Sequence, residues 1–186
     1  MLLVLLSNLA KYLFSSLGYY TGTPIYPAFT GMSLTTFDVT PVAKDETLPP
    51  IVFQAGDTHV SIDYAITVTN NGTRAGDEVV FMFAASSDGT HGSGLIRRLT
   101  GFERVHLLPG ASQVVHFQMT TEILKVTNST TGDIVSMPGN YIVSFTTGGT
   151  DGDLQHPNVK GVQHVRIEST NGAGVVMERF PKYPNV

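Results

Sequence analysis

The chain has 186 residues, of which 41% are hydrophobic and 14% charged, and its formal net charge is −4 at pH 7; this composition fits one globular domain with tails. Its 11 Lys and Arg residues are spread along the chain, with only Arg97 and Arg98 adjacent, so we expect no nucleic-acid surface. The chain has no Cys, which excludes disulfides and thiol chemistry. It also has no Trp, so the usual sugar-stacking side chain is missing.

Residues 1–18, MLLVLLSNLAKYLFSSLG, form an apolar start that is interrupted by Ser7, Asn8 and Lys11. A membrane span needs about 20 mostly apolar residues, so we expect no span here. Two interpretations stay open: a secretory signal peptide cleaved near Gly18, and the start of a chain truncated from a longer reading frame. We favour truncation, because the positive region that opens a signal peptide is missing.

Residues 19–33 are rich in Pro and Gly and are predicted to be an extended linker that leads into a first strand around Leu34–Val42. The clearest strand follows in VSIDYAITVTN, where apolar residues recur at every second position from Val60 to Val68. The turn Asn70-Asn71-Gly72 ends this strand, because Asn and Gly tolerate the positive φ that tight turns need.

Five further strands are predicted at short intervals, in EVVFMFAAS, RLTGFERVHL, SQVVHFQM, NYIVSFTT and VQHVRIES. The turn Leu108-Pro109-Gly110 separates the second and third of these, which we interpret as a hairpin. Only TTEILK, residues 120–125, has a helical pattern, of about one and a half turns. About seven short antiparallel strands predict an all-β fold, a β-sandwich of the fibronectin type III or immunoglobulin type. The predicted core is Val60, Ile62, Tyr64, Ile66, Val68, Phe102, Val115, Phe117, Tyr141, Val143 and Phe145.

No set of acidic residues has the pattern of a catalytic site. Asp45-Glu46 and Asp77-Glu78 are adjacent pairs, and neighbours on a strand point to opposite faces. Neither pair could flank one glycosidic bond with carboxyl groups about 5–10 Å apart, so we expect no catalytic residue. The Asp151-Gly152-Asp153 loop lacks the other ligands of a calcium loop.

The six histidines are also predicted to be structural or exposed. His106 and His116 flank the Pro109-Gly110 turn and are expected to lie near each other, but two ligands alone make a poor metal site. We therefore expect no metal and no cofactor. Two sequons, Asn71-Gly72-Thr73 and Asn128-Ser129-Thr130, fall in predicted loops, which makes Asn71 and Asn128 candidate N-glycosylation sites.

Three segments together carry a family resemblance. They are NNGTRAGDEVVFMF (Asn70–Phe83), RLTGFERVHLLPGAS (Arg98–Ser112) and MPGNYIVSF (Met137–Phe145). In order and spacing they resemble the fibronectin type III-like domain at the carboxyl end of glycoside hydrolase family 3 enzymes, the β-glucosidases and β-xylosidases. The resemblance covers roughly residues 19–170. It predicts a domain over residues 34–170, preceded by a linker at 19–33 from an α/β sandwich domain and followed by a C-terminal tail at 171–186.

Within this motif we expect Gly76 and Gly101 where strands begin or bend, and Phe102 as a plug between the two sheets. Pro109 presets φ, and Gly110 is free to take a positive φ. Tyr141 belongs to the third segment and is expected in the core.

The resemblance implies a structural role in a secreted enzyme that breaks down xylan-type or glucan-type carbohydrate. The nucleophile and the acid/base of that family lie in other domains, so this chain alone is expected to be inactive. Its partners would be those catalytic domains, and without them we expect self-association. Two alternatives stay open: a free-standing carbohydrate- or protein-binding sandwich, which would need an exposed aromatic row or an apolar patch, and an enzyme with an unrecognised site.

Overall fold

Short strands with one apolar side build the fold. The computed structural model describes residues 33–42, 49–87, 97–128, 130–147 and 159–180, and it contains eleven strands and one 3₁₀ turn at Thr121–Leu124 within those ranges. The strands are β1 (Phe37–Pro41), β2 (Ile51–Gln54), β3 (Ile62–Asn70), β4 (Gly76–Ser86), β5 (Arg98–Leu107), β6 (Ser112–Met119), β7 (Val126–Thr127), β8 (Ile134–Ser136), β9 (Gly139–Thr147), β10 (Val159–Glu168) and β11 (Val175–Glu178).

Two main sheets form the sandwich. One has three strands in the order β1-β3-β6, and the other has five in the order β2-β10-β9-β4-β5. All neighbours are antiparallel except β2, which pairs in parallel with β10. A small third sheet, β11-β8-β7, lies beside them. This architecture confirms the predicted all-β sandwich.

The core lies between the inner faces of the two main sheets. The Tyr64 ring of β3 stacks on the Phe145 ring of β9 with centroids 4.1 Å apart, and Phe117 of β6 packs against the same Phe145 at 5.2 Å. Aromatic residues from both sheets therefore meet at the centre. Eight of the predicted core residues are buried: Tyr64, Ile66, Val68, Val115, Phe117, Tyr141, Val143 and Phe145. Each contributes about 1.5–3 kcal/mol through burial.

The predicted start of β3 is wrong by two residues. Val60 is 42% exposed and Ile62 is half-buried. The reason is pairing: β3 begins at Ile62, opposite Met119 at the end of β6, so Val60 has no neighbouring strand to cover it. The alternation of apolar residues in the sequence therefore begins two residues before β3 joins the sheet.

The predicted β5–β6 hairpin is also wrong. β5 pairs with β4 in the five-stranded sheet, whereas β6 pairs with β3 in the three-stranded sheet. The intervening turn docks on the end of β3: the Gly110 amide donates to the Asn70 carbonyl at 2.8 Å, and the Asn70 amide donates to the Ala111 carbonyl at 3.0 Å. These bonds direct the chain across the sandwich instead of back along β5.

Phe102 is not a plug between the sheets, since it is 63% exposed. Its neighbour Gly101 occupies the inward position, where an added Cβ would lie 3.1 Å from Met82 Cε and 3.8 Å from Phe117 Cδ1. Adjacent strand residues point to opposite faces, so Phe102 faces outward. A bulge at Thr100, where the register with β4 shifts, precedes this pair.

Some predictions fall on small elements or outside the described residues. The helix-like segment 120–125 is confirmed as a short 3₁₀ turn. In the range 171–186, predicted as a tail, β11 pairs with β8. Residues 1–18, most of the predicted linker 19–33, the Asp45-Glu46 pair and the Asp151–Asp153 loop lie outside the described residues.

Candidate functional site

The most extensive polar site in the described residues is centred on Asn70, the last residue of β3, which is fully buried. Its side-chain Oδ1 accepts hydrogen bonds from Thr35 Oγ1 at 2.8 Å and from the Gly72 amide at 3.0 Å. Its Nδ2 donates to the carbonyls of Arg74 at 2.8 Å and Leu107 at 2.9 Å. Asn70 also has main-chain bonds to the 110–111 turn. Its bonds therefore connect four segments: the segment before β1 (Thr35), the turn after β3 (72–74), the end of β5 (Leu107) and the 110–111 turn. We call this site the Asn70 junction: Thr35, Asn70, Gly72, Gly76 and Gly110.

Glycine is required at two positions of the junction because Thr35 packs directly on them. A Cβ at Gly72 would lie 2.2 Å from Thr35 Oγ1 and 2.8 Å from the Thr36 amide. A Cβ at Gly76 would lie 2.6 Å from Thr35 Cγ2. The sequence predicts Gly76 at the start of a strand, and β4 does begin there. Glycine is needed at this position because Thr35 approaches closely, not because the backbone must be flexible.

Two other residues of the resemblance have the expected geometry. Gly110 has φ +75°, as predicted for the residue after Pro109. Tyr141 is 2% exposed, and its hydroxyl donates to the Met137 carbonyl at 2.7 Å. This is the tyrosine corner of immunoglobulin-like sandwiches, in which a strand-F tyrosine bonds back to the upstream backbone.

The outer face of β4 and β5 carries a partly apolar surface. Exposed Phe102 lies opposite half-buried Phe81, and Val79 lies opposite Arg104. Next along the strands, Asp77 lies opposite His106. We call these six residues the β4–β5 face. Sequence reasoning missed it, although Phe102 is out of phase with the buried pair Val105 and Leu107, which was the signal that it faces outward.

Charged groups edge this face. The Asp77 carboxylate accepts from Arg104 Nε at 2.9 Å and also bonds Arg104 Nη2 and His106. The hydrogen bonds from His106 and Arg104 lower the pKa of Asp77 below its ordinary value. The adjacent Glu78 has the opposite shift, because its partial burial raises its pKa. The two neighbours thus lie in different environments, as expected for opposite faces of one strand.

His106 and His116 do not come together. His106 and His116 flank buried residues of β5 and β6, so they lie on opposite outer faces of the sandwich; the prediction that they are near each other is wrong. His116 Nδ1 pairs with Asp63 at 2.7 Å. Gln118 Nε2 donates to Asp63 at 2.7 Å, and Ser61 donates to Gln118 at 2.6 Å. No group of three His, Asp or Glu side chains in the described ranges could hold a metal ion.

The candidate glycosylation sites differ in their surroundings. Asn71 is exposed, next to the junction. Asn128 is half-buried, and its Oδ1 accepts from the amides of Thr130 at 2.9 Å and Thr131 at 3.2 Å.

An open cleft of about 540 Å³ lies where β9 begins and β10 ends. It is lined by Asn140, Arg166, Glu168 and Ser169 among others. Arg166 pairs with Glu168 at 3.3 Å, so its charge is already balanced within the cleft.

Comparison with known proteins identifies what this domain is similar to. The fibronectin type III-like domain family matches residues 78–147. The β-xylosidase of Formosa agariphila is 32% identical over 133 residues, which are 72% of this chain and 17% of that protein. The periplasmic β-glucosidase of Salmonella typhimurium is 33% identical over 105 residues, 56% of this chain and 13% of that protein. The chain therefore spans about a sixth, or less, of the length of these relatives.

The solved structures agree on the fold. The crystal structure of a β-glucosidase from Kluyveromyces marxianus with bound glucose superposes with a TM-score of 0.62 at 23% identity, covering 83% of this chain and 16% of that one. No helix in the part of the chain that the structure describes is long and apolar enough to cross a membrane. The chain carries a fibronectin type III-like domain and is homologous to one part of the β-xylosidases and β-glucosidases of glycoside hydrolase family 3.

Proposed function

We propose that this chain is an accessory, structural module of a family 3 glycoside hydrolase that has no catalytic residue of its own. The observation that carries this proposal is that the chain matches only a small part of its glycosidase relatives and that its described polar site holds the fold together. The chain corresponds to a small part of its glycosidase relatives, and its described site is a buried hydrogen-bonded junction. The carboxylates of Asp63 and Asp77 lie on opposite outer faces and are both bonded to neighbouring side chains, so neither is paired for attack on one glycosidic bond.

The activity of the whole enzyme would be hydrolysis of O-glycosyl bonds in xylan-type or glucan-type saccharides, since its relatives are named as β-xylosidases and β-glucosidases. A location outside the cytoplasm is supported by the periplasmic relative. If the parent enzyme passes through a glycosylating secretory route, exposed Asn71 is the better acceptor, because Asn128 is half-buried.

A second function, carbohydrate or protein binding by a free-standing sandwich, is favoured by one observation. Phe102 and Phe81 form a cross-strand aromatic pair on the outer face, with Phe102 63% exposed. The pair could stack on a sugar or pack on a protein.

The proposed function predicts that the module stabilises a catalytic part. We would replace the matching 133 residues of the Formosa agariphila β-xylosidase with this chain, and compare the graft with an enzyme truncated before that region. The graft should retain β-xylosidase activity after heating that inactivates the truncated enzyme. Equal heat inactivation of graft and truncated enzyme would contradict a stabilising role. Retention of the isolated chain on xylo- or gluco-oligosaccharides in affinity electrophoresis would favour the second function.

A further inference from the structure

The two outer faces of the sandwich differ in chemistry. On the three-stranded sheet, Asp63 bonds to His116 and Gln118, and Thr69 bonds to Ser112 at 2.8 Å. Apart from exposed Val114, that face is mainly polar, and these polar groups are bonded to one another. The β4–β5 face instead has an apolar centre, Phe102 with Phe81 and Val79, and a charged edge.

This arrangement is typical of a docking surface. Protein interfaces have an apolar centre that is rich in aromatic residues and a polar rim, and buried aromatic side chains dominate their binding energy. The charged edge is held in place, because the carboxylate of Asp77 bonds both Arg104 and His106. Ordering these side chains in advance reduces the entropy lost when a partner covers them.

The preceding polypeptide joins the domain beside this face. Thr35 is held by Asn70 at 2.8 Å, and its Cγ2 packs on Gly76, the first residue of β4. Gly76 directly precedes Asp77 at the charged edge of the face. Thr35, near the start of the described residues, therefore lies at the end of β4 where the β4–β5 face begins.

We do not expect a second copy of this chain to extend the five-stranded sheet by pairing with β5. β5 is an edge strand, and Glu103 lies on the same side of it as buried Val105 and Leu107. An inward-pointing charge on an edge strand opposes strand-to-strand association. The occupant is expected on the face and not along the edge.

We propose that the β4–β5 face is the surface on which the preceding part of a longer glycosidase chain docks, with Phe102 at its centre. This rests on the proposed function, and it adds where the contact lies. The relatives support it by their length, since more than four fifths of the Formosa agariphila protein lies outside the matched 17%.

The test uses the graft in Formosa agariphila β-xylosidase. A photo-reactive benzoyl-phenylalanine is placed at Phe102, at Val114 on the polar outer face, or at Val52 on β2; these positions are 63%, 43% and 52% exposed. After illumination, cross-linked peptides are mapped by mass spectrometry. We expect position 102 to cross-link to the enzyme outside the graft with at least about tenfold the yield from 114 or 52.

Three outcomes would overturn the proposal in different ways. If the graft is stabilised but 114 or 52 cross-links better than 102, the function stands and the surface is wrong. If no position cross-links and the graft is no more heat-resistant than the truncated enzyme, the proposed function itself fails. If 102 cross-links only to a second graft molecule, the occupant is another copy.

A second measurement covers the case in which the graft does not fold. In sedimentation of the isolated chain, Phe102→Ser should lower the weight-average mass at high concentration, because an uncovered docking face promotes association. Val114→Ser should not. Circular dichroism checks that both variants keep the fold. Equal masses for wild type and both variants would contradict a docking face centred on Phe102.

Discussion

The Asn70 junction and the β4–β5 face lie side by side at the start of β4, yet they are built in opposite ways. The junction buries a polar side chain whose four hydrogen-bonding partners are all provided by the chain. The face exposes an aromatic side chain, although the core has room only for Gly101 at the adjacent inward position. Buried polar groups must be hydrogen-bonded, whereas an exposed apolar patch indicates a partner. The junction therefore stabilises the fold, and the face is available for interaction.

The largest expected effect is at the centre of the junction. Asn70→Ala leaves the amide of Gly72, the Thr35 hydroxyl and the carbonyls of Arg74 and Leu107 without their partner. The bonds to Thr35 and Leu107 are buried whereas the other two are part-buried, and each buried unsatisfied group costs about 1–3 kcal/mol, so we expect the free energy of unfolding to fall by about 3–5 kcal/mol in urea denaturation. The control is Asn71→Ala at the next, exposed position, which should change it by less than about 0.5 kcal/mol. Equal losses of unfolding free energy at both positions would show that the hydrogen bonds of the Asn70 side chain do not stabilise the fold.

A smaller loss is expected at Gly72. The added methyl group of Gly72→Ala meets Thr35 Oγ1 and the Thr36 amide, and overpacking of this kind costs about 1–3 kcal/mol. Thr35→Ala in the same background removes the nearest atom. The double-mutant cycle should therefore show a favourable coupling energy above about 0.5 kcal/mol. Strict additivity would mean that Thr35 and Gly72 do not touch.

On the β4–β5 face the same type of change should matter little to folding. We expect Phe102→Ala to lower the free energy of unfolding by less than about 1 kcal/mol, as for an exposed position. A plug between the sheets would instead lose about 3–5 kcal/mol. Phe145→Ala, in the core, is the matched control and should show that larger loss. A Phe102→Ala loss as large as that of Phe145→Ala would place the side chain in the core and contradict the face.

The smallest effect depends on pH. Burial raises the pKa of Glu78 in the folded state, so the folded protein binds its proton more tightly than the unfolded chain. That contribution is fully present below the ordinary pKa of glutamate and is lost as pH rises through the raised value. Glu78→Gln, which keeps the neutral shape, should raise Tm slightly at pH 7 and leave it unchanged near pH 3. Asp77→Asn is the contrasting control: its folded pKa is lowered, so this variant should lower Tm at pH 7. A Tm change of the same sign for both variants at pH 7 would contradict the assigned environments.

Alternation predicted which residues of β3, β6 and β9 are buried, because a strand side chain can face only one of two sides. It could not predict the sheet to which β6 belongs, since period two specifies a face and not a neighbour. The bonds between Asn70 and the 110–111 turn decide that. Phe102 faces outward because it lies an odd number of residues from buried Val105, and the apolar character of its side chain alone does not indicate this. Asn70 continues the buried phase of Tyr64, Ile66 and Val68, but alternation specifies only its burial and not the four side-chain hydrogen bonds that it makes.

The central claim, that this module supports an active site located elsewhere, is tested most directly by assaying the chain alone. The purified 186-residue chain is incubated with aryl β-xylosides and aryl β-glucosides, and release of the aryl group is followed. The account predicts rates equal to those of buffer. It would be contradicted by turnover that persists through purification and disappears when a carboxylate of this chain, Asp63 or Asp77, is replaced by Asn.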